Sequence, residues 1–165
     1  MINKLIYFAG GCFWGVQEYF SRLKGVISTK SGYANGKTAN PSYEEVKSQT
    51  AGHAETVEVI YDADNVNLLT LIDHFLRFVD PYSINKQGED EGVQYRSGIY
   101  YLDDEEKDII KNYLDSKLKE GYKIEILKLQ NFYPAEEYHQ DYLKKNPQGY
   151  CHIKLNLIQK DERKD

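Results

Sequence analysis

Cysteine is scarce in this chain of 165 residues: there are two, Cys12 and Cys151, near opposite ends. Two cysteines do not make a disulfide scaffold, and a chain of this length can build its own core without one. No C-x-x-C pair is present, and the four histidines (His53, His74, His139, His152) lack the paired spacing of zinc sites. No metal is therefore expected. Long apolar runs are missing too: nothing approaches the ~18 residues of a membrane-spanning helix. The opening MINKLIYFAGGC carries one lysine and an apolar run too brief for a signal segment, so a cytoplasmic location is expected. A net charge of −5 argues against a nucleic-acid-binding face. Repeats, low-complexity tracts and Pro/Gly-rich linkers are also absent. One domain over 1–165 is expected, with the charged residues 158–165 as a solvated tail.

What is present is a globular composition, 41% hydrophobic and 28% charged, with 15 tyrosines. Residues 2–8 read as a buried strand that ends at Gly10-Gly11. Phe13, Val16, Phe20 and Leu23 then recur at helical spacing, and Gly25 stops that helix. Strands follow at VISTKSGY and at TVEVIY. Leu68, Ile72, Phe75, Leu76 and Val79 share one helix face, with Asn67 as its cap and Asp80-Pro81 as its end. RSGIYYL is a strand, DDEE opens a helix that Gly121 closes, 122–129 is a further strand, and PAEEYHQDYLKK predicts a short helix. Through residue 102 the order is β-α-β-β-α-β, which predicts an α+β two-layer sandwich with a ferredoxin-like core. Its sheet would be essentially antiparallel with helices on one face, extended by one strand, one helix and a long C-terminal coil.

In AGGCFWGVQEYF, Cys12 falls where a strand turns into a helix. Free N–H groups and the positive end of the helix dipole favour a thiolate at such a position. Gly10 and Gly11 allow the sharp turn. The plainer alternative, a buried cysteine beside two core aromatics, stands about even on these residues alone. Phe13 and Trp14 would offer sulfur and methyl groups an apolar wall, although such a pair is commonly core.

GGCFWG resembles the active-site signature of the peptide methionine sulfoxide reductase A family. GYANG, PSYEEV, GHAETVEV, DPYSINKQGEDEGVQYRSGIYY, YPAEEYHQDYL and NPQGYC follow in that family's order, from about residue 4 to residue 155. The resemblance implies that Cys12 attacks the sulfoxide sulfur, that Glu55 is the acid, and that Tyr43 and Tyr95 hydrogen-bond the sulfoxide oxygen. It further implies that Phe13 and Trp14 hold the substrate methyl, that Asp90 contacts the polar side of the substrate, and that Cys151 resolves a Cys12 sulfenic acid into a disulfide. His53 and His139 match family positions and read as structural residues. The activity implied is reduction of the S-epimer of methionine sulfoxide, free or in oxidised proteins, with no cofactor and with an external dithiol such as thioredoxin as reductant. A monomer is expected. A thiol peroxidase shares the sulfenic acid but leaves the Phe-Trp wall unexplained; a ligand-binding module would leave Cys12 inert.

Overall fold

A computed structural model describes residues 2–164. The chain runs β1 (Asn3–Gly10), α1 (Phe13–Ser21), β2 (Val26–Ala34), α2 (Tyr43–Lys47), β3 (Ala54–Asp62), α3 (Leu68–Phe78), β4 (Lys86–Gln87) and β5 (Asp90–Glu91). It continues with β6 (Ser97–Tyr101), α4 (Glu105–Lys117), β7 (Glu125–Lys128), β8 (Phe132–Pro134) and α5 (Tyr142–Lys145). Six strands form one sheet in the order β7-β6-β1-β3-β2-β8, and β4 and β5 form a separate hairpin. The architecture is mixed α+β.

Alternation along β1 explains how the sheet is covered. Ile6 and Phe8 point into a large core shared with Phe20 of α1, Phe75 of α3 and Leu114 of α4. Tyr7 and Ala9 point the other way, into a small cluster with Ala34, Ala54 and Tyr100 that Leu129 and Phe132 cover. Both faces are therefore dry, and β1 reads as a continuous apolar run rather than an alternating one. Asn67 caps α3 by accepting a hydrogen bond from the Thr70 N–H at 2.8 Å.

The central pairings are antiparallel, and register carries the site. Gly10 faces Ser97, Tyr33 faces Glu55 and Ala34 faces Ala54. The C-terminal ends of β1 and β2 thus lie at the same end of the sheet as the starts of β3 and β6.

Several expectations are corrected. The edge strand β7 pairs with β6 in parallel, so the sheet is not wholly antiparallel. The helix expected from Pro134 does not form: Pro134 ends β8, a single 3-10 turn spans Glu137–His139, and only Tyr142–Lys145 is α-helical. Gln140 is extended and Asp141 sits at φ +50, because the Gln140 side chain bonds the Ser31 and Ala135 backbones instead. Loop segments hold two elements the periodicity does not reveal: α2, closed by a Ser42–Glu45 capping box, and the β4-β5 hairpin. Residues 158–164 keep mostly exposed side chains, as expected of a solvated tail, but the segment is tied to the body of the protein. Ile158 is buried, the Lys24 N–H donates to the Glu162 carbonyl, and Arg77 grips the Glu162 carboxylate with two bonds of 2.7 Å.

Candidate active site

Cys12 is the N-cap of α1 and is 8% exposed. Its sulfur makes no capping hydrogen bond, although the nearby Trp14 backbone N–H favours the thiolate. Even so, the expectation of a depressed thiol pKa is overturned: burial pushes the Cys12 thiol well above its ordinary value, and the neighbouring Glu55 adds to that. The loss of water around a thiolate outweighs what the first helical N–H groups return. Cys12 therefore rests as a thiol.

Glu55, in β3, reaches across to the same helix end and accepts the Phe13 N–H at 3.2 Å through Oε1. Its Oε2 is buried without a hydrogen-bond partner among the described residues. Desolvation raises the carboxyl to about 8, against the Phe13 N–H, which lowers it, while Asp90 raises it further. At neutral pH this is a buried, protonated acid beside a cysteine. Tyr43, at the start of α2, and Tyr95, just before β6, complete the donor set, each close enough to the other and to Glu55 and Cys12 to feel their charge. Burial raises both tyrosines, Tyr43 to about 12, so both stay protonated throughout the physiological range.

The two aromatics differ. Phe13 is fully buried against Tyr33 and His139, beneath the site. Trp14 is half-buried, stacked on Tyr142 at 3.7 Å, with its Nε1–H donating to His139 Nδ1 at 3.0 Å. Only Trp14 offers a solvent-facing part in this state. His139 orients Trp14, and its own ring packs on Tyr43. His53 bonds the Thr38 carbonyl at 2.9 Å, and its ring fills the space beside Gly36, ordering the loop that leads to Tyr43. Both histidines thus sit in structural roles.

Asp90, on β5, lies close enough to Cys12 and Glu55 to raise both, and accepts a hydrogen bond from the Tyr150 hydroxyl at 3.1 Å. Cys151 is half-buried and donates to the Ile153 carbonyl at 3.2 Å. Both cysteines are free thiols. No cluster of side chains suited to a metal occurs among the described residues.

Sequence reasoning missed the supports. Glu136 accepts both the Tyr33 hydroxyl at 2.7 Å and the Tyr43 N–H at 3.0 Å, which places Tyr43. Gln17 holds Ser31 Oγ and the Asp141 N–H, tying α1 to the segment that carries His139. None of these pairs has a periodic signature, because their partners lie more than ten residues apart.

A thiol beside a proton donor, with another thiol docked on the same helix, is the equipment of a thiol-based oxidoreductase. Comparison with known proteins makes the class specific. Residues 4–165 match the peptide methionine sulfoxide reductase family, and the chain belongs to it. It is an enzyme, an oxidoreductase. It is 55% identical over 160 residues to the peptide methionine sulfoxide reductase MsrA of Ureaplasma urealyticum, covering 95% of this chain and 97% of that one. Mxr1 of Saccharomyces cerevisiae in reduced form superposes with a TM-score of 0.83 at 38% identity, covering 92% of this chain and 91% of that one. Mxr1 in complex with Trx2 matches with a TM-score of 0.56 at 26% identity, covering 85% and 84%.

Proposed function

We propose that this enzyme reduces the S-epimer of methionine sulfoxide, free or in oxidised proteins, through a Cys12 sulfenic acid and a Cys12–Cys151 disulfide. The observation that carries the mechanism is the protonated, half-satisfied Glu55 carboxyl packed against the helix end that Cys12 caps. The Cys12 sulfur attacks the sulfoxide sulfur. Oxide is a poor leaving group, so its oxygen must gain a proton as the bond to the methionine sulfur breaks. Glu55 donates that proton, while the Tyr43 and Tyr95 hydroxyls hydrogen-bond the oxygen. The Cys12 thiol proton reaches the same oxygen, which leaves as water from a Cys12–S–S sulfonium. Water then adds to the Cys12 sulfur, and the S–S bond breaks to release methionine. The proton shed returns to Glu55, leaving a Cys12 sulfenic acid. Trp14 faces the S-methyl group and Phe13 backs it from below. Asp90 receives the polar side of the substrate once Tyr150 gives way.

Cys151 then condenses with the sulfenic acid to a disulfide, releasing water. A dithiol of the thioredoxin class returns both thiols by exchange, a reading supported by the Mxr1 complex with Trx2. No metal or organic cofactor enters the cycle. We also read β1-α1-β2-β3-α3-β6 as a ferredoxin-like core, supported by the strand order β6-β1-β3-β2 and its antiparallel pairings.

The test is turnover of peptides carrying resolved sulfoxide epimers, with dithiothreitol as reductant. Wild type should consume the S-epimer and leave the R-epimer, and Cys12→Ser should be inactive. Equal activity of the serine variant, or preference for hydrogen peroxide over sulfoxide, sinks the proposal.

A further inference from the structure

The turn formers in NPQG suggest a segment that swings Cys151 toward Cys12, but the structure holds that segment already docked. Gly15 lies less than one helical turn beyond Cys12, and a Cβ there would sit 3.0 Å from the Cys151 sulfur. The missing side chain is what admits the thiol. On the next residue, the His152 ring passes behind the turn between β1 and α1. Its Nε2–H donates to the Gly10 carbonyl at 2.8 Å, and a Cβ on Gly11 would stand 2.8 Å from the same nitrogen. Gly11 is held at φ +90, so it serves the turn and the close approach together. Ile153 follows into the core against Gly15. Cys151 is thus followed directly by a hydrogen-bonded ring and a buried aliphatic side chain, both fixed to the β1–α1 region.

We propose that His152 is a positioning residue for the second half of the cycle. By pinning the residue after Cys151 to the end of β1, it keeps the second thiol waiting over α1 before Cys12 is oxidised. The inference rests on the reductase reading above. The step it serves is Cys12–SOH plus HS–Cys151 giving Cys12–S–S–Cys151 and water, in which the sulfenic sulfur is reduced and the Cys151 sulfur oxidised. His152 supplies no proton and no electrons. It acts by raising the local concentration of the Cys151 thiol, which shortens the life of a sulfenic acid open to further oxidation.

The experiment is a single turnover without reductant, using wild type, His152→Ala and His152→Gln with a peptide-bound methionine-S-sulfoxide. Methionine formed, disulfide formed and dimedone-trapped Cys12 sulfenic acid are each followed with time. His152→Ala should form methionine at the wild-type rate, which also shows that it is folded. Its disulfide should form about five- to tenfold more slowly, the scale of one lost buried hydrogen bond, with the dimedone adduct accumulating. His152→Gln keeps an N–H donor and should recover most of that rate. Disulfide formation at the wild-type rate in His152→Ala overturns the inference, as does a matching fall in methionine formation. An equal defect in His152→Gln overturns the hydrogen-bonded latch. No methionine from wild type would instead sink the reductase reading itself.

Discussion

Glu55 shows how one residue acquires its chemistry. A buried carboxylate that accepts two or three backbone N–H groups is held ionised, whereas Glu55 accepts only the Phe13 N–H, at 3.2 Å. Desolvation wins, and the carboxyl rises from 4.5 to about 8. Glu55→Gln should lower the rate of methionine formation in the first turnover by about 10²-fold or more, the range of a lost general acid. The wild-type rate should decline as pH rises through about 8, where the proton to be donated is gone. Stability has its own sign. The folded pKa lies above the unfolded one, so the folded state holds an extra proton between roughly 4.5 and 8. That contribution is fully present below 4.5 and is lost as pH rises through 8. Urea unfolding at about pH 5 and about pH 8.5 should therefore show Glu55→Gln gaining on wild type at the higher pH.

Among elements, the start and buried face of α1 were legible, but its end was not. The helix ends at Ser21, and Leu23 forms an isolated bridge to Arg163 instead of carrying it on to Gly25. Phe13, Val16 and Phe20 announce its buried face, and Gly25, at φ +88, marks where the chain turns into β2. A Cβ on Gly25 would lie 2.5 Å from Val66 Cγ1, so strain and collision act together. Gly25→Ala should cost about 1–3 kcal/mol, read as a lower urea midpoint with an unchanged slope. The segment from Pro134 was illegible for a definite reason. Its helical spacing is real, but Gln140 gains more from bonding the Ser31 edge of β2 than from continuing a helix. Local periodicity cannot register a partner 109 residues away.

At the scale of the molecule, the C-terminal segment is a clasp. Glu162 accepts Arg77 through both oxygens at 2.7 Å and lies 3.4 Å from His74, and Lys164 N–H donates to the Arg22 carbonyl. The Arg77 guanidinium, working against a smaller cost of burial, holds the Glu162 carboxyl down at about 2. Because the folded pKa is depressed, the pair contributes stability above the unfolded value of 4.5 and loses it as pH falls through 2. Glu162→Gln should cost about 1 kcal/mol near neutral pH, since the pair is partly exposed and screened. In thermal melts that penalty should shrink at about pH 3. In QKDERKD the run of charge hides one anchored residue, Glu162, because its partners Arg77 and His74 are supplied by α3.

The sequence by itself determined the order of the main elements, the turn that presents Cys12, and the residue types of a thiol chemistry. Those follow from rules of short range: side-chain alternation, helical spacing, capping and the conformational freedom of glycine. Only the tertiary structure decided that Cys12 rests as a thiol, that Glu55 is a protonated acid, and that Cys151 is already seated over Gly15. Protonation follows from how much water packing removes, and seating follows from which distant side chains leave room. Neither quantity belongs to any single stretch of chain.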